Sequence, residues 1–150
     1  MDVMPILLIE DSDVDAEALF RAVKRLGLPL EVKRCATGAC ALDYLHLRGM
    51  HAEKEAAPRP AFILLDYHLP DMSGDEVLEA IKREERLKAI PVIAFSGATD
   101  PRNIQSMYQE GASSFVPKPH DAEALKLTTE KMMAYWLALV LLPEEEEKRS

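Results

Sequence analysis

Short apolar runs alternate with amphipathic stretches along this chain. Ile6-Leu7-Leu8-Ile9 is apolar at every position, as a strand covered on both faces requires. Ser12 can then cap a helix whose first turns carry Asp13, Asp15 and Glu17, negative charge that suits a helix N-terminus. Ala18, Leu19, Ala22, Val23 and Leu26 follow at helical spacing, and Gly27 stops the helix. Leu30–Cys35 reads as a second strand. Gly38–Leu47 reads as a second helix with Ala41, Leu42 and Leu45 inward. The polar stretch His46–Pro60, with Gly49, Pro58 and Pro60, reads as a long surface loop. Phe62-Ile63-Leu64-Leu65 is the third strand and runs into Asp66. The turn Leu69–Gly74 leads to a helix with Val77, Leu78 and Ile81 on one face. Pro91–Phe95 is the fourth strand. Asp100-Pro101 supplies an N-cap and a first-position proline for a helix carrying Ile104, Met107 and Tyr108 and ending at Gly111. Ser114-Phe115-Val116 is the fifth strand, and Asp121 opens the last helix. Alternation of this kind predicts parallel strands with helices on both faces.

Composition narrows the functions. The 150 residues suit one domain, expected over 1–143, with a frayed charged tail at 144–150. The net charge is -8 and no Lys/Arg block stands out, so nucleic acid is not an expected partner. Met1–Pro5 shows no basic-then-apolar secretory pattern. The longest apolar run, Met132–Leu142, is well short of the ~20 residues of a membrane span. No membrane partner is expected, and the expected location is the cytoplasm. Cys35 and Cys40 lack metal-ligand spacing and read as two inert, buried thiols in a reducing compartment. His46, His51 and His120 share no metal-type spacing and read as exposed.

The chemistry-bearing residues sit where an open α/β sheet gathers function, at the carboxyl ends of its strands. The first strand ends in Glu10-Asp11, the third in Asp66, the fourth in Ser96 and the fifth in Lys118. Close carboxylates repel one another, and a hard cation such as Mg2+ relieves that. A carboxylate can also be a nucleophile and hold an aspartyl phosphate, lysine supplies a point charge, and serine a short donor. Singly, each has an ordinary explanation: a strand end, a turn residue, a helix cap or surface charge. Together at one rim they point to phosphoryl chemistry.

Four segments carry a resemblance: Ile6-Leu7-Leu8-Ile9-Glu10-Asp11; Asp66-Tyr67-His68-Leu69-Pro70-Asp71-Met72-Ser73-Gly74; Phe95-Ser96-Gly97; and Gly111-Ala112-Ser113-Ser114-Phe115-Val116-Pro117-Lys118-Pro119. Together they resemble the receiver domain of two-component response regulators. The resemblance implies a flavodoxin-like, doubly wound five-stranded sheet in the order 2-1-3-4-5. It implies that Asp66 accepts a phosphoryl group from a histidine kinase. Asp11 would bind Mg2+ directly, Glu10 through water or at longer range, and the backbone carbonyl of His68 would be a further ligand beside Asp66. Lys118 would bind the phosphoryl group and have a partner mainly once that group arrives. Ser96 and Phe115 would form a switch pair, and the Lys118-Pro119 bond would be cis. Glu10 stands where Asp is commoner and Ser96 where Thr is commoner. Phe115 lacks a phenol, and Pro117 lacks the N–H of a ladder position. His68 and Ala98 occupy positions that tune phosphoryl lifetime in the family. The acidic opening, Ala57-Pro58-Arg59-Pro60, and Ala134-Tyr135-Trp136 with the apolar stretch to Pro143 further resemble the single-domain regulators of phytochrome-type histidine kinases.

Self-phosphorylation and self-dephosphorylation are the only catalysis this reading implies. With no output domain following, output would come by docking. A receiver-fold binding module that signals without phosphorylation is the alternative, and it would need one of these site residues to be missing. A phosphohydrolase would want a second Asp at position 68, and a flavodoxin-like electron carrier would want a hydroxyl-rich loop where Glu10-Asp11-Ser12-Asp13 stands. The stretch Met132–Leu142 is apolar all round if helical, which exceeds one core-facing stripe; Leu125, Met132 and Trp136 are the face expected to pack on the domain, with the rest facing water. It is expected to form a homodimer contact through the C-terminal helix. The competing expectation is that it folds back over its own core.

Overall fold

The computed structural model describes residues 4–49 and 57–144. The sheet holds β1 (Ile6–Ile9), β2 (Val32–Cys35), β3 (Phe62–Leu65), β4 (Val92–Ser96) and β5 (Ser114–Pro117), all pairing in parallel in the order β2-β1-β3-β4-β5. The helices are α1 (Asp13–Arg25), α2 (Gly38–Leu45), α3 (Gly74–Arg83), α4 (Pro101–Gln109) and α5 (Ala122–Ala134).

Burial follows the apolar runs. Every residue of β1, β3 and β4 is buried, whereas β2 and β5, the edges, are half-covered. Alternate side chains feed two cores, as the strand period demands. Leu7, Ile9, Ile63 and Leu65 pack against Ala41, Tyr44, Val77, Leu78, Ile81 and Met107 of α2, α3 and α4. Ile6, Leu8, Phe62 and Leu64 pack against Ala16, Leu19, Ala22 and Val23 of α1 and Leu125, Met132 and Met133 of α5. Pro117 lies on the edge strand β5, where a missing N–H interrupts no inner ladder.

The caps read from sequence are made. Ser12 accepts from the Asp15 N–H, Asp100 from that of Arg102, and Asp121 from that of Ala124. Several boundaries differ from expectation. β2 starts two residues late, where Val32 comes into register with Ile6. α2 stops at Leu45, and Leu47 takes a left-handed turn with φ 55°. Tyr108 is half exposed rather than inward, because its hydroxyl reaches out to accept the Phe115 N–H at 3.1 Å. No peptide bond among the described residues is cis, so Lys118-Pro119 is trans, contrary to expectation. The trans form is the intrinsically preferred isomer of an X-Pro bond, and Lys118 reaches its partners from it.

The C-terminal segment also departs from a single apolar helix. α5 ends at Ala134, a π-helical turn covers Tyr135–Leu139, and Val140 is extended. The wider turn re-aims the side chains. Trp136 stacks on Phe62 with centroids 5.9 Å apart, and Leu137 and Leu142 also pack against the α1–α5 core. Leu139 and Leu141 remain outside, 73% and 97% exposed. Part of the apolar surplus therefore folds back over its own core, and only part faces solvent. No helix among the described residues is long and apolar enough to cross a membrane. His120 is exposed and His46 half-buried, while His51 and most of the 144–150 tail lie outside the described residues.

Candidate functional site

The site is built by extending the sheet ladder past the strands. The Glu10 N–H donates to the Cys35 carbonyl at 3.0 Å, the Asp66 N–H to Ile9 at 3.1 Å, and the Lys118 N–H to Ser96 at 2.9 Å. These bonds bring the strand-end residues to one rim. The loop after Asp66 folds tightly back on itself: the Gly74 N–H donates to the Tyr67 carbonyl at 2.6 Å, and His68 bridges Ser73. A β-carbon at position 74 would collide with the Asp66 carbonyl oxygen, so glycine lets α3 start directly beneath Asp66.

Glu10, Asp11 and Asp66 each offer a carboxylate oxygen, and these lie within 4.8 Å of one another. Glu10 and Asp66 are buried and Asp11 is exposed. Lys118 reaches into this group: its Nζ lies 2.6 Å from Glu10 Oε1, 2.8 Å from Asp15 Oδ2 and 3.0 Å from Asp66 Oδ2. The expectation that this ammonium waits for a phosphoryl partner is corrected here, because three carboxylates already share it. Ser96, 1% exposed, accepts the Ala98 N–H at 3.1 Å and hydrogen-bonds to Asp66.

Burial and charge divide the carboxylates. Burial pushes Glu10 up to about 7, with Asp66 adding repulsion and Lys118 opposing it. Burial pushes Asp66 up too, but the Ser96 hydroxyl, the Lys118 charge and hydrogen bonds from Glu10 and Lys118 outweigh it. Asp66 is therefore held below the usual aspartate range. Burial alone would lower the Lys118 ammonium, yet Asp15, Glu10 and Asp66 raise it above the usual lysine value. The result is a charged lysine and an ionised Asp66, with Glu10 taking a proton before Asp66 does. An ionised, partly desolvated carboxylate with a lysine and a hydroxyl beside it is a competent oxygen nucleophile toward an electrophilic phosphorus.

The structure thus brings together Glu10, Asp11, Asp66, Ser96 and Lys118. Phe115 is not among them: it lies half-buried on β5, packed against the α2–α3–α4 core. His68 stands in the loop after Asp66, with its ring edge-on to Tyr67 at 5.2 Å. Sequence reasoning missed Asp15, read only as a helix-dipole acid. Its place in the first turn of α1, directly after the Glu10-Asp11 strand end, was the available signal. It also missed Asp71, whose carboxylate accepts the Gly38 and Ala39 N–H groups at 2.8 Å each and ties the loop after β3 to α2. No local signal announces a cap that lies more than thirty residues away in sequence.

Residues 6–130 match the family described as Response regulator receiver domain. The chain belongs to that family. It is 39% identical to the "Probable methanogenesis regulatory protein FilR2" of Methanothrix harundinacea, over 88% of this chain and 83% of the relative. It is 31% identical to "Response regulator Rcp1" of Synechocystis, over 92% of each. The structure of the Mn(2+)-bound form of response regulator Rcp1 superposes with a TM-score of 0.89 at 30% identity, covering 95% of this chain and 100% of that one. The phosphorylated cyanobacterial phytochrome response regulator RcpA gives the same TM-score and coverage at 31% identity. The receiver fold is thereby shown, and the chain is similar to response regulators of two-component signalling.

Proposed function

We propose that this receiver accepts a phosphoryl group on Asp66 from the phosphohistidine of a sensor histidine kinase, with Mg2+ as the cofactor. The observation that carries the reading is the state of Asp66: buried, yet held ionised by Ser96 and Lys118. In the transfer, an Asp66 oxygen forms a bond to phosphorus as the histidine N–P bond breaks. The released imidazole nitrogen recovers its lone pair and takes a proton from solvent. Glu10, Asp11 and Asp66 would hold Mg2+ through their carboxylate oxygens, the hard donors this ion prefers, and the His68 carbonyl would be a further ligand. When bound, Mg2+ would neutralise charge on the carboxylates and on the transferred group. Lys118 exchanges a carboxylate partner for a phosphoryl oxygen. Ser96 leaves the Ala98 N–H and turns to the phosphoryl group, and Phe115 moves inward behind it. Phosphorylation adds about -1.5 to -2 charge at neutral pH, enough to bias the α4–β5–α5 surface.

Similarity to Rcp1 and RcpA supports a phytochrome-type kinase as the donor. Exposed Tyr135, Leu139 and Leu141 support a homodimer through the C-terminal segment. The reading places the protein in the cytoplasm and gives it no catalysis beyond its own phosphorylation and dephosphorylation. The test is phosphotransfer from a purified, phosphorylated phytochrome-type kinase. Label should move to the wild type with Mg2+, stay on the kinase with a chelator, and not reach Asp66→Asn. Equal labelling of Asp66→Asn would overturn the assignment.

A further inference from the structure

Cys35 closes β2 and Cys40 lies in the first turn of α2, with the chain turning sharply between them. Thr37 sets the turn by accepting the Cys40 N–H at 3.0 Å. Asp71 pins the same turn through Gly38 and Ala39. The outcome is that the two Sγ atoms stand 2.8 Å apart. A disulfide is about 2.05 Å long, so less than about 1 Å of further approach would join them. The two thiols also differ in access. Cys35 is 2% exposed, and burial pushes its thiol well above the usual range, with Cys40 adding to the shift. Cys40 is partly exposed and is the sulfur that a reagent reaches first. Two inert thiols, the expectation from sequence, would not need to face each other across a turn built to hold them.

We propose that Cys35 and Cys40 are a modification site that closes to an intramolecular disulfide on reaction with hydrogen peroxide. The Cys40 sulfur attacks one peroxide oxygen, the O–O bond breaks, and one water leaves, giving a sulfenic acid on Cys40. The Cys35 sulfur then attacks the Cys40 sulfur. Its proton passes to the departing sulfenic oxygen, which leaves as a second water. Two electrons pass from sulfur to the peroxide oxygens, and one peroxide and two thiols become one disulfide and two waters. The bond would lock the corner between β2 and α2. That corner adjoins the acidic rim on both sides, through the Cys35 carbonyl to Glu10 and through Asp71 to the loop after β3.

The test uses the full chain, reduced, treated with hydrogen peroxide, denatured and alkylated before tryptic digestion. Cleavage after Arg34 and Arg48 leaves both cysteines in one peptide, residues 35–48. In the oxidised sample this peptide should carry no alkyl group and weigh two hydrogens less than its free-thiol form. It should take two alkyl groups once reduced, and the protein should stay monomeric on a non-reducing gel. Backbone amides of the first turn of α2 should exchange more slowly with solvent after oxidation. Cys35→Ser should leave a sulfenic acid at Cys40 that a cyclic 1,3-diketone traps. Full alkylation of both cysteines after peroxide would overturn the proposal. So would oxidation of Cys40 to sulfinic acid with Cys35 still a thiol, or bridging between two chains. The wild-type peptide map decides the matter even where the variant fails to fold.

Discussion

Replacing Lys118 by methionine removes the ammonium that Glu10, Asp15 and Asp66 share at 2.6, 2.8 and 3.0 Å. The methionine retains most of the apolar stem, so the perturbation is mainly of charge. Removing one partner of a buried ion pair typically costs about 3–5 kcal/mol, because the charges left behind stay desolvated. Two features here favour the lower end. Asp15 is 23% exposed and keeps water, and Glu10, already raised to about 7, can neutralise itself by taking a proton. About 3 kcal/mol in a chain of this length lowers Tm by roughly 6–12 °C. The assay is thermal unfolding followed by circular dichroism, in chelator and again with millimolar Mg2+. In the variant no ammonium competes for the carboxylates, so added Mg2+ should raise Tm more than it does in the wild type. A variant with wild-type Tm in chelator, or with the same Mg2+-induced shift, would refute the claim that Lys118 balances the rim before any phosphoryl group arrives.

Asp11 is the exposed member of the donor set, so Asp11→Ala should abolish calorimetric Mn2+ or Mg2+ binding while leaving Tm in chelator close to wild type. Retained binding would remove Asp11 from the ligand set. Asp75 joins α3 to α4 by accepting the Ser106 hydroxyl at 2.7 Å and also accepts the Ser73 hydroxyl. Burial tends to raise its carboxyl, but the Ser73 and Ser106 bonds prevail and hold it below 3.8. Its stabilisation is therefore present above the unfolded value of 3.8 and lost as pH falls through the lower folded value. Urea unfolding should find Asp75→Asn about 1 kcal/mol less stable than wild type at pH 7, with the gap closing as pH falls below 3.8. A gap that stays constant with pH would contradict this.

How much could be read from sequence depended on the range of the interaction. The all-apolar runs of β1, β3 and β4 declared full burial because nothing polar interrupts them, and the central strands are indeed these three. Ser12, Asp100 and Asp121 were legible as caps because a cap and its target lie within three residues. Glu10, Asp11, Asp66, Ser96 and Lys118 were legible because parallel topology fixes where strand ends go. The side-chain partnerships among them were not. Lys118 with Asp15 and Asp71 with α2 join segments far apart in sequence, and no periodicity encodes which rotamer reaches which partner. The C-terminal segment misled for another reason. Trp136 was expected on the domain side and does pack on Phe62, but periodicity treats a helix as a fixed 3.6-residue repeat and did not show the π turn at Tyr135–Leu139 or the extended Val140 beyond it.

The central claim is that phosphoryl transfer ends on Asp66, and its most direct measurement locates the modified side chain itself. An acyl phosphate is reduced by borohydride to the corresponding alcohol, which turns a phosphorylated aspartate into homoserine. The wild-type chain, phosphorylated by a histidine kinase in Mg2+, reduced and digested, should carry homoserine at position 66 and aspartate at position 11. Reduction product at Glu10, Asp11 or Asp15, or none anywhere while the chain carries label, would contradict the account.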